Sequence, residues 1–107
     1  MKLYIAILDE APDNIVPCLV AHSVLGADRL FTNNPEYQKW FRFSFKKCVV
    51  RVSRSEFNRI RFLPLVYLGH ENSTLNGEKS CAVVCPREET PNVLKFAKLW
   101  SPKNETS

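Results

Sequence analysis

The segment Lys2–Leu8 constrains the fold of this chain more than any other, because six of its seven residues are apolar. A strand that is apolar on both faces has to be covered on both faces, which is typical of a strand in the middle of a sheet. Asp9 and Glu10 end the apolar run too early for a signal peptide, and no run approaches the roughly 20 apolar residues that a membrane span needs. The sequence therefore predicts a buried first strand in a protein that does not enter a membrane.

The rest of the chain alternates between helical and strand-like segments. Strands are predicted at 47–52, 65–69 and 80–85, and helices at 15–31, from Asn34-Pro35, from Ser53 and from Thr90-Pro91. This alternation predicts an α/β protein with a three-layer α/β/α arrangement. Its four-stranded mixed, mainly parallel sheet is expected to have the first strand in the centre and leaves room for one late antiparallel strand. At 107 residues, the chain is expected to form a single domain over residues 1–100, followed by a frayed tail at 101–107.

Several details of these elements follow from the same patterns. Ser53 and Glu56 have the spacing of a capping box. The helix at 15–31 is apolar nearly all round, so we expect it to be mostly covered. Burial is predicted for the apolar strand residues Ile5, Ile7, Val50, Val52, Val83 and Cys85. The terminal helix is predicted to direct inward Val93, Leu94, Ala97 and Leu99.

The spacing of the cysteines argues against a metal site. No zinc-binding pattern connects the four of them, which are Cys18, Cys48, Cys81 and Cys85. All four lie in apolar segments, which predicts small buried side chains. Reduced thiols in a cytoplasmic protein fit this pattern, because the sequence carries no export signal. The sequence predicts no cofactor and no metal.

Basic residues are concentrated between Lys39 and Arg61, where eight of them stand against the single acid Glu56. Four aromatic residues are interleaved with them, namely Trp40, Phe41, Phe43 and Phe45. Surfaces that bind nucleic acids use this mixture for phosphate contacts and base stacking. The alternative is an ordinary solvated face whose aromatic side chains pack inward. If the stretch is a binding surface for RNA (tRNA) or a protein partner, the first candidates are Lys39, Arg42, Lys46, Lys47 and Arg54.

The loop after the first strand carries the opposite charge. Asp9, Glu10 and Asp13 lie close together in the sequence. Three carboxylates repel phosphate, so we expect RNA to avoid this end of the molecule. This distribution predicts an electrically two-faced molecule, which suits a protein partner as well as RNA.

Four segments carry a likeness to a known family. They are the helical sequence HSVLGA at 22–27, the strand and helix start at 46–56, the turn and strand at 76–86, and the apolar, lysine-containing ending at 94–100. In their order and spacing they resemble the type II peptidyl-tRNA hydrolases of archaea and eukaryotes, over nearly the full chain from Leu3 to Trp100. The resemblance implies an α/β fold and a tRNA substrate.

The resemblance also implies that catalytic residues of the family have been replaced. Where the family has a glycine-lysine pair and then a glutamine in its first helix, this chain has Asn14-Ile15 and Leu19. Where the family has an aspartate and a threonine before its last strand, this chain has Leu68 and Asn72. Isoleucine and leucine can neither stabilise an oxyanion nor transfer a proton. We therefore expect a divergent member that acts as a non-hydrolytic interaction module.

The alternative is a peptidyl-tRNA hydrolase with substituted active-site residues. Its candidate catalytic residues are His22, at a position where the family also has histidine, His70 in the presumed site loop, and Asn72, which keeps hydrogen-bonding ability. The alternative for His22 is a histidine buried in the protein core, because it lies on an apolar helix. His70 is also compatible with a solvated loop residue. The sequence leaves these alternatives open.

Overall fold

The computed structural model describes residues 1–103. Within these residues the sheet has five strands, β1 (Lys2–Leu8), β2 (Lys46–Val52), β3 (Val66–His70), β4 (Lys79–Val84) and β5 (Lys98–Leu99). Their order is β3-β4-β1-β2-β5, so that β1 lies in the centre, as predicted. The protein is therefore a mixed α/β protein that contains the four predicted strands and a short fifth strand.

The directions of the four predicted strands agree with a mixed, mainly parallel sheet that has one late antiparallel strand. β1 and β2 run parallel, and β4 is antiparallel to both of its neighbours, β1 and β3, so that β1, β2 and β3 point the same way. The connections explain these directions, because a parallel pair needs a long crossover and an antiparallel pair does not. A long helix lies between β1 and β2, but a short loop at 71–78 joins β3 to β4. The short strand β5, antiparallel to β2, was not predicted.

The helices are α1 (Val16–Phe31), α2 (Pro35–Lys39), α3 (Arg54–Ile60) and α4 (Asn92–Lys95). Two of them begin at the side-chain caps that the sequence predicts, whereas α4 begins after Pro91 without a side-chain cap from Thr90. The Asn34 side chain accepts a hydrogen bond of 3.0 Å from the Tyr37 amide and starts α2. The predicted capping box is present in α3, where the Ser53 amide donates to Glu56 and the Glu56 amide donates to Ser53. These caps fix the start of both helices that flank β2.

The side chains of β1 alternate between two hydrophobic clusters, one on each face of the sheet. Ile5 and Ile7 face the cluster that contains the buried side of α1. Ala6 and Leu8 face the cluster that contains α3 and Leu94 of α4. Burial at 2% exposure or less is confirmed for all six predicted strand residues, Ile5, Ile7, Val50, Val52, Val83 and Cys85. Helices therefore cover both faces of the central strand.

Helix α1 is less covered than its apolar sequence predicts. One stripe of the helix is buried, formed by Val16, Leu19, Ser23, Ala27 and Phe31. Leu25 and Leu30 on its outer side are exposed. The helix packs against a single face of the sheet, so only one stripe can be buried, whatever the composition of the others.

The cysteines and the C-terminal segment also depart from the predictions. All four cysteines are free, but Cys18 is exposed and Cys48 is only half-buried, whereas Cys81 and Cys85 are buried. Helix α4 ends at Lys95, and Leu99, predicted to face inward, is 71% exposed because the chain continues as β5 on the edge of β2.

Of the tail that was expected to fray, Ser101 accepts a hydrogen bond from Arg51 of β2, and Lys103 contacts the loop after β1. The Lys103 amide donates to Asp13 Oδ2 (2.5 Å) and its ammonium group donates to the Asp9 carbonyl (2.8 Å). Residues 104–107 lie outside the described part of the chain. Among residues 1–103, no single helix is long and apolar enough to cross a membrane, although the bent pair Asp13–Phe31 and Pro35–Ser44 passes on length and composition alone.

Candidate functional site

The connection between α2 and β2 forms an unusual turn that directs aromatic side chains outward. After Lys39 the helix widens into a π-helical turn, Trp40–Ser44, which ends when the Phe45 amide donates to the Trp40 carbonyl (2.7 Å). Phe45 itself has a left-handed backbone with φ 55°. Bulky residues rarely adopt that conformation, and π-helical turns frequently occur at functional sites. The Ser44 hydroxyl donates to the Met1 carbonyl (2.6 Å), which ties this turn to the start of β1.

Trp40 fixes the turn to the core. Its side chain is 2% exposed, and its indole nitrogen donates a hydrogen bond of 2.7 Å to the Lys46 carbonyl. The other three aromatic residues of the turn are at least half exposed, at 55% for Phe41, 78% for Phe43 and 50% for Phe45. Phe41 and Phe45 pack partly against the buried Trp40 ring, with ring centres 6.2 Å and 5.3 Å away. The alternative of aromatics packed inward therefore holds for Trp40, in part for Phe41 and Phe45, and not for Phe43.

Basic side chains lie among these exposed rings. The Lys47 ammonium group lies 3.3 Å from the centre of the Phe45 ring, and the Arg42 guanidinium lies 6.0 Å from the centre of the Phe43 ring. Both distances are compatible with cation–π attraction. Within residues 1–103, no ion pair involves the four exposed cations Lys39, Arg42, Lys46 and Lys47. These cations, together with Phe41, Phe43 and Phe45, are called the aromatic–basic surface.

An open groove of ≈ 590 Å³ adjoins this surface, between α1 and α2. Its lining includes Asp28, Tyr37, Gln38 and four members of the aromatic–basic surface, Lys39, Phe41, Arg42 and Phe43. The Tyr37 hydroxyl donates a hydrogen bond of 2.7 Å to Asp28 Oδ1. Burial and this hydrogen bond raise the pKa of Tyr37, so the phenol stays protonated and the bond persists.

Arg54 lies apart from the other four predicted basic residues. It follows the far end of β2, and its guanidinium pairs with Glu10 (2.5 Å) and with Glu78 (2.6 Å). The hydrogen bonds to Glu10 and Glu78 raise the pKa of Arg54. Arg54 therefore connects three segments of the fold, and its charge is already matched by two carboxylates.

The acidic loop after β1 is also neutralised by basic partners. Arg51 lies 3.3 Å from Asp9 and 3.8 Å from Asp13, and the Lys103 ammonium group lies 3.3 Å from Asp9. Desolvation acts to raise the pKa of Asp9, but the hydrogen bonds and charges of Lys103 and Arg51 outweigh it and lower that pKa. Basic residues from β2 and from the C-terminal segment therefore pair with these acids, and the two-faced distribution of charge stays a prediction.

The candidate catalytic histidines lie near each other, on the side of α1 next to β3. The rings of His22 and His70 have centres 6.4 Å apart, and the Lys79 ammonium group lies 3.1 Å from Nδ1 of His70. His22 is exposed, so it is not a core histidine. Asn72 is exposed in the loop after β3, and within residues 1–103 no hydrogen bond joins it to either histidine. The structure therefore brings together two of the three candidates.

The Cys18 thiol and the Glu71 carboxylate belong to the same group of residues. The sequence gives no sign that these two side chains are in contact. The Cys18 thiol donates to Glu71 Oε2 over 3.5 Å, and this interaction raises the pKa of Cys18. A raised pKa keeps the sulfur protonated, which is the opposite of an activated nucleophile. Within residues 1–103, no three His, Cys, Asp or Glu side chains are placed to hold a metal ion.

Three apolar residues that the resemblance compares with catalytic positions of the family pack into the core. Leu19 is fully buried, and Ile15 and Leu68 are partly buried against the two hydrophobic clusters. No family model and no curated protein sequence matches this chain. The resemblance to type II peptidyl-tRNA hydrolases stays a prediction.

The groove and its carboxylate were not found from the sequence. Asp28 and Tyr37 are nine positions apart and belong to different helices. An acidic side chain near the C-terminus of a helix interacts unfavourably with the helix dipole. The position of Asp28 near the end of α1 is therefore the sequence signal that indicates a role for this residue other than helix stability.

Proposed function

We propose that this chain is a non-hydrolytic interaction module that binds single-stranded RNA through the aromatic–basic surface. One observation carries the proposal: three phenylalanine rings, each at least 50% exposed, lie among four cations that form no ion pair within residues 1–103. Exposed aromatic rings next to unpaired cations are costly to keep in water and useful for stacking bases and neutralising phosphates. An acidic protein partner would use the cations but gives no specific reason for three exposed rings.

The size of the surface sets the expected strength of binding. Stacking of a base on an aromatic ring contributes about 1–3 kcal/mol, so Phe41 and Phe43 can supply a large share of a micromolar affinity, whereas the Phe45 ring is already covered by Lys47. Four phosphate contacts would give a slope of about −3 when log K is plotted against log salt for a single strand. Binding is therefore expected to have both a salt-dependent part and a part that persists in salt.

The scaffold and the resemblance support the same proposal. We propose that the fold is the three-layer α/β/α arrangement of a divergent type II peptidyl-tRNA hydrolase, because α1 packs on one face of the sheet and α3 and α4 pack on the other. That family acts on a tRNA, so an RNA ligand requires no change of ligand class. The apolar residues Ile15 and Leu19, where the family has lysine and glutamine, support binding without hydrolysis.

The test compares two double charge reversals that change the net charge equally. Lys46→Glu with Lys47→Glu alters the aromatic–basic surface, whereas Arg59→Glu with Lys98→Glu alters exposed residues of α3 and β5. Affinity for a labelled single-stranded RNA of about 12 nucleotides is measured by fluorescence anisotropy between about 50 and about 200 mM salt. The first pair should lower the affinity and flatten the salt slope, while the control pair should change both less.

Two results would contradict the proposal. One is equal loss of affinity in both double variants, which would mean that only net charge matters. The other is the absence of binding by the wild-type protein, which would leave an acidic protein as the partner of this surface. Thermal unfolding of each variant checks that the fold is intact.

A second candidate function, hydrolysis of peptidyl-tRNA with substituted residues, has one observation in its favour. His22 and His70 lie with ring centres 6.4 Å apart beside Lys79, which provides groups able to exchange protons. Release of the peptidyl group by purified protein, measured over several turnovers, tests it directly.

A further inference from the structure

The groove beside the aromatic–basic surface contains a carboxylate that phosphate binding does not require. Asp28 lies in the last turns of α1 and lines the groove together with Phe41 and Arg42. A negative charge at this place repels phosphate, so it weakens a surface whose sole ligand is the RNA backbone. The group that meets Asp28 has to carry hydrogen-bond donors and no negative charge.

The carboxylate is held in a fixed orientation. The Tyr37 hydroxyl occupies one position on Asp28 Oδ1, and the Tyr37 ring is in turn packed against Phe31 and Trp40, with ring centres 5.8 Å and 5.3 Å away. The Gln38 side chain donates to the Thr32 carbonyl (3.0 Å) and ties α2 to the end of α1 across the groove. A pre-formed site of this kind loses little entropy when a ligand binds.

The remaining acceptor capacity of this carboxylate selects among the bases. A carboxylate has two oxygens with about four acceptor positions and no donor. Guanine has two adjacent donors, N1–H and the N2 amino group, on its Watson–Crick edge. Adenine, cytosine and uracil each place an acceptor next to their donor on that edge, so one of the two contacts would set two acceptors against each other.

We infer that the groove is a guanine subsite, in which Asp28 accepts hydrogen bonds from N1–H and the N2 amino group of an unpaired guanine in the bound RNA. The guanine ring lies against Phe41, whose own ring centre is 6.4 Å from that of Tyr37. Lys39 and Arg42, which also line the groove, contact the flanking phosphates. The groove volume of ≈ 590 Å³ is within the range of sites that bind small organic groups. This inference rests on the proposed binding of single-stranded RNA.

The experiment varies one base in an otherwise uniform strand. Wild-type protein is titrated with oligouridine strands that carry a single central guanosine, inosine or adenosine. A bidentate contact to the correct base should make the guanosine strand bind about tenfold more tightly than the adenosine strand. Inosine keeps N1–H and lacks the amino group, so its affinity should be intermediate. This series needs no mutation and therefore no assumption about folding.

Two variants of the protein assign the effect to Asp28. Asp28→Asn replaces one carboxylate oxygen by a donor and should remove the preference for guanosine, while the adenosine strand binds as before or more tightly. Glu36→Gln makes the same chemical change on α2, at a residue that does not line the groove, and should keep the preference. Retention of the guanosine preference in Asp28→Asn would overturn the inference.

The outcomes separate the subsite from RNA binding itself. Equal affinity of the wild-type protein for all three strands would overturn the guanine subsite and leave RNA binding in place. Failure of every strand to bind would overturn the proposed function and the subsite together. Competition by free GMP as strong as that of the guanosine strand would overturn the RNA as the source of the base and indicate a mononucleotide site.

Discussion

Replacing Phe43 separates an effect on RNA binding from an effect on stability, because the ring of this residue is 78% exposed. Replacing it by alanine removes a side chain of about 200 Å², of which about a fifth is covered, so at ~25 cal/mol per Å² the folded state loses only about 1 kcal/mol. If the ring stacks on a base, the same change removes about 1–3 kcal/mol from binding, which corresponds to a 5- to 150-fold loss of affinity for RNA. Trp40→Ala is the contrasting variant, since its ring is 2% exposed and large-to-small changes of buried tryptophan cost about 3–5 kcal/mol of stability.

The assay combines RNA titration by fluorescence anisotropy with urea denaturation of the same two preparations. Phe43→Ala should unfold at nearly the wild-type urea concentration and bind RNA much more weakly. Trp40→Ala should unfold at a markedly lower urea concentration. The reasoning is refuted if Phe43→Ala binds RNA with wild-type affinity, or if its loss of affinity is matched by an equal loss of stability.

Three further predictions concern other parts of the molecule. Purified protein should not release the peptidyl group from peptidyl-tRNA over several turnovers, and activity that His22→Ala or Asn72→Ala abolishes without unfolding the protein would show the opposite. Because the pKa of Asp9 is lowered from 3.8 in the folded state, its stabilising effect is present above that value and is lost as the pH falls through the folded pKa. Asp9→Asn should therefore lower the thermal unfolding midpoint at neutral pH, and the deficit should shrink under acid conditions. In native protein a thiol reagent should modify the exposed Cys18 and spare Cys81, whose pKa burial raises to about 12. Glu71→Gln should speed the Cys18 reaction at a fixed pH above neutrality, because Glu71 raises the pKa of that thiol, and an unchanged rate would contradict this.

The sequence predicts those elements whose local signals agree with their tertiary environment. β1 was placed at its observed bounds because an apolar run of seven residues leaves little choice, and α3 because Ser53 and Glu56 form a capping box. β5 was not predicted, because a strand of two residues shows no alternation of apolar and polar positions. The position of Leu99 instead fits the buried side of a longer terminal helix. The order of the strands was left open, because it depends on the connections between elements rather than on the residues within them.

The sequence predicts the charge of the candidate site, but it does not predict which residues pair with one another. The basic and aromatic composition of the α2–β2 region indicated the surface, but composition cannot distinguish Trp40, which is buried, from Phe43 three residues later, which is not. Arg54 was included because it is basic and lies at a helix end, and its guanidinium pairs with Glu10 and Glu78. Ion pairs between residues far apart in sequence, such as that of Arg51 with Asp9, depend on strand register, which the sequence does not specify.

A π-helical turn and a left-handed phenylalanine occur together where the surface is formed. Leu65 and Leu75 also have a left-handed backbone, so it is this combination, and not the φ value alone, that supports a function for the surface. A regular α-helix through residue 44 would have a lower free energy than a π-helical turn. Glycine would also be less strained than Phe45 at φ 55°, since this backbone conformation costs a bulky residue about 1–3 kcal/mol. The cost is offset by Trp40, whose buried ring packs 5.3 Å from the Phe45 ring and whose indole donates to Lys46. The left-handed residue reverses the chain so that the helix end and the start of β2 present their side chains together. Phe45 then lies under the Lys47 ammonium group, and Phe43 stays in solvent beside Arg42. A stable fold alone does not need this arrangement, because strained backbone and exposed rings both lower stability, whereas a surface that stacks bases needs both the rings and the turn that holds them apart from the core.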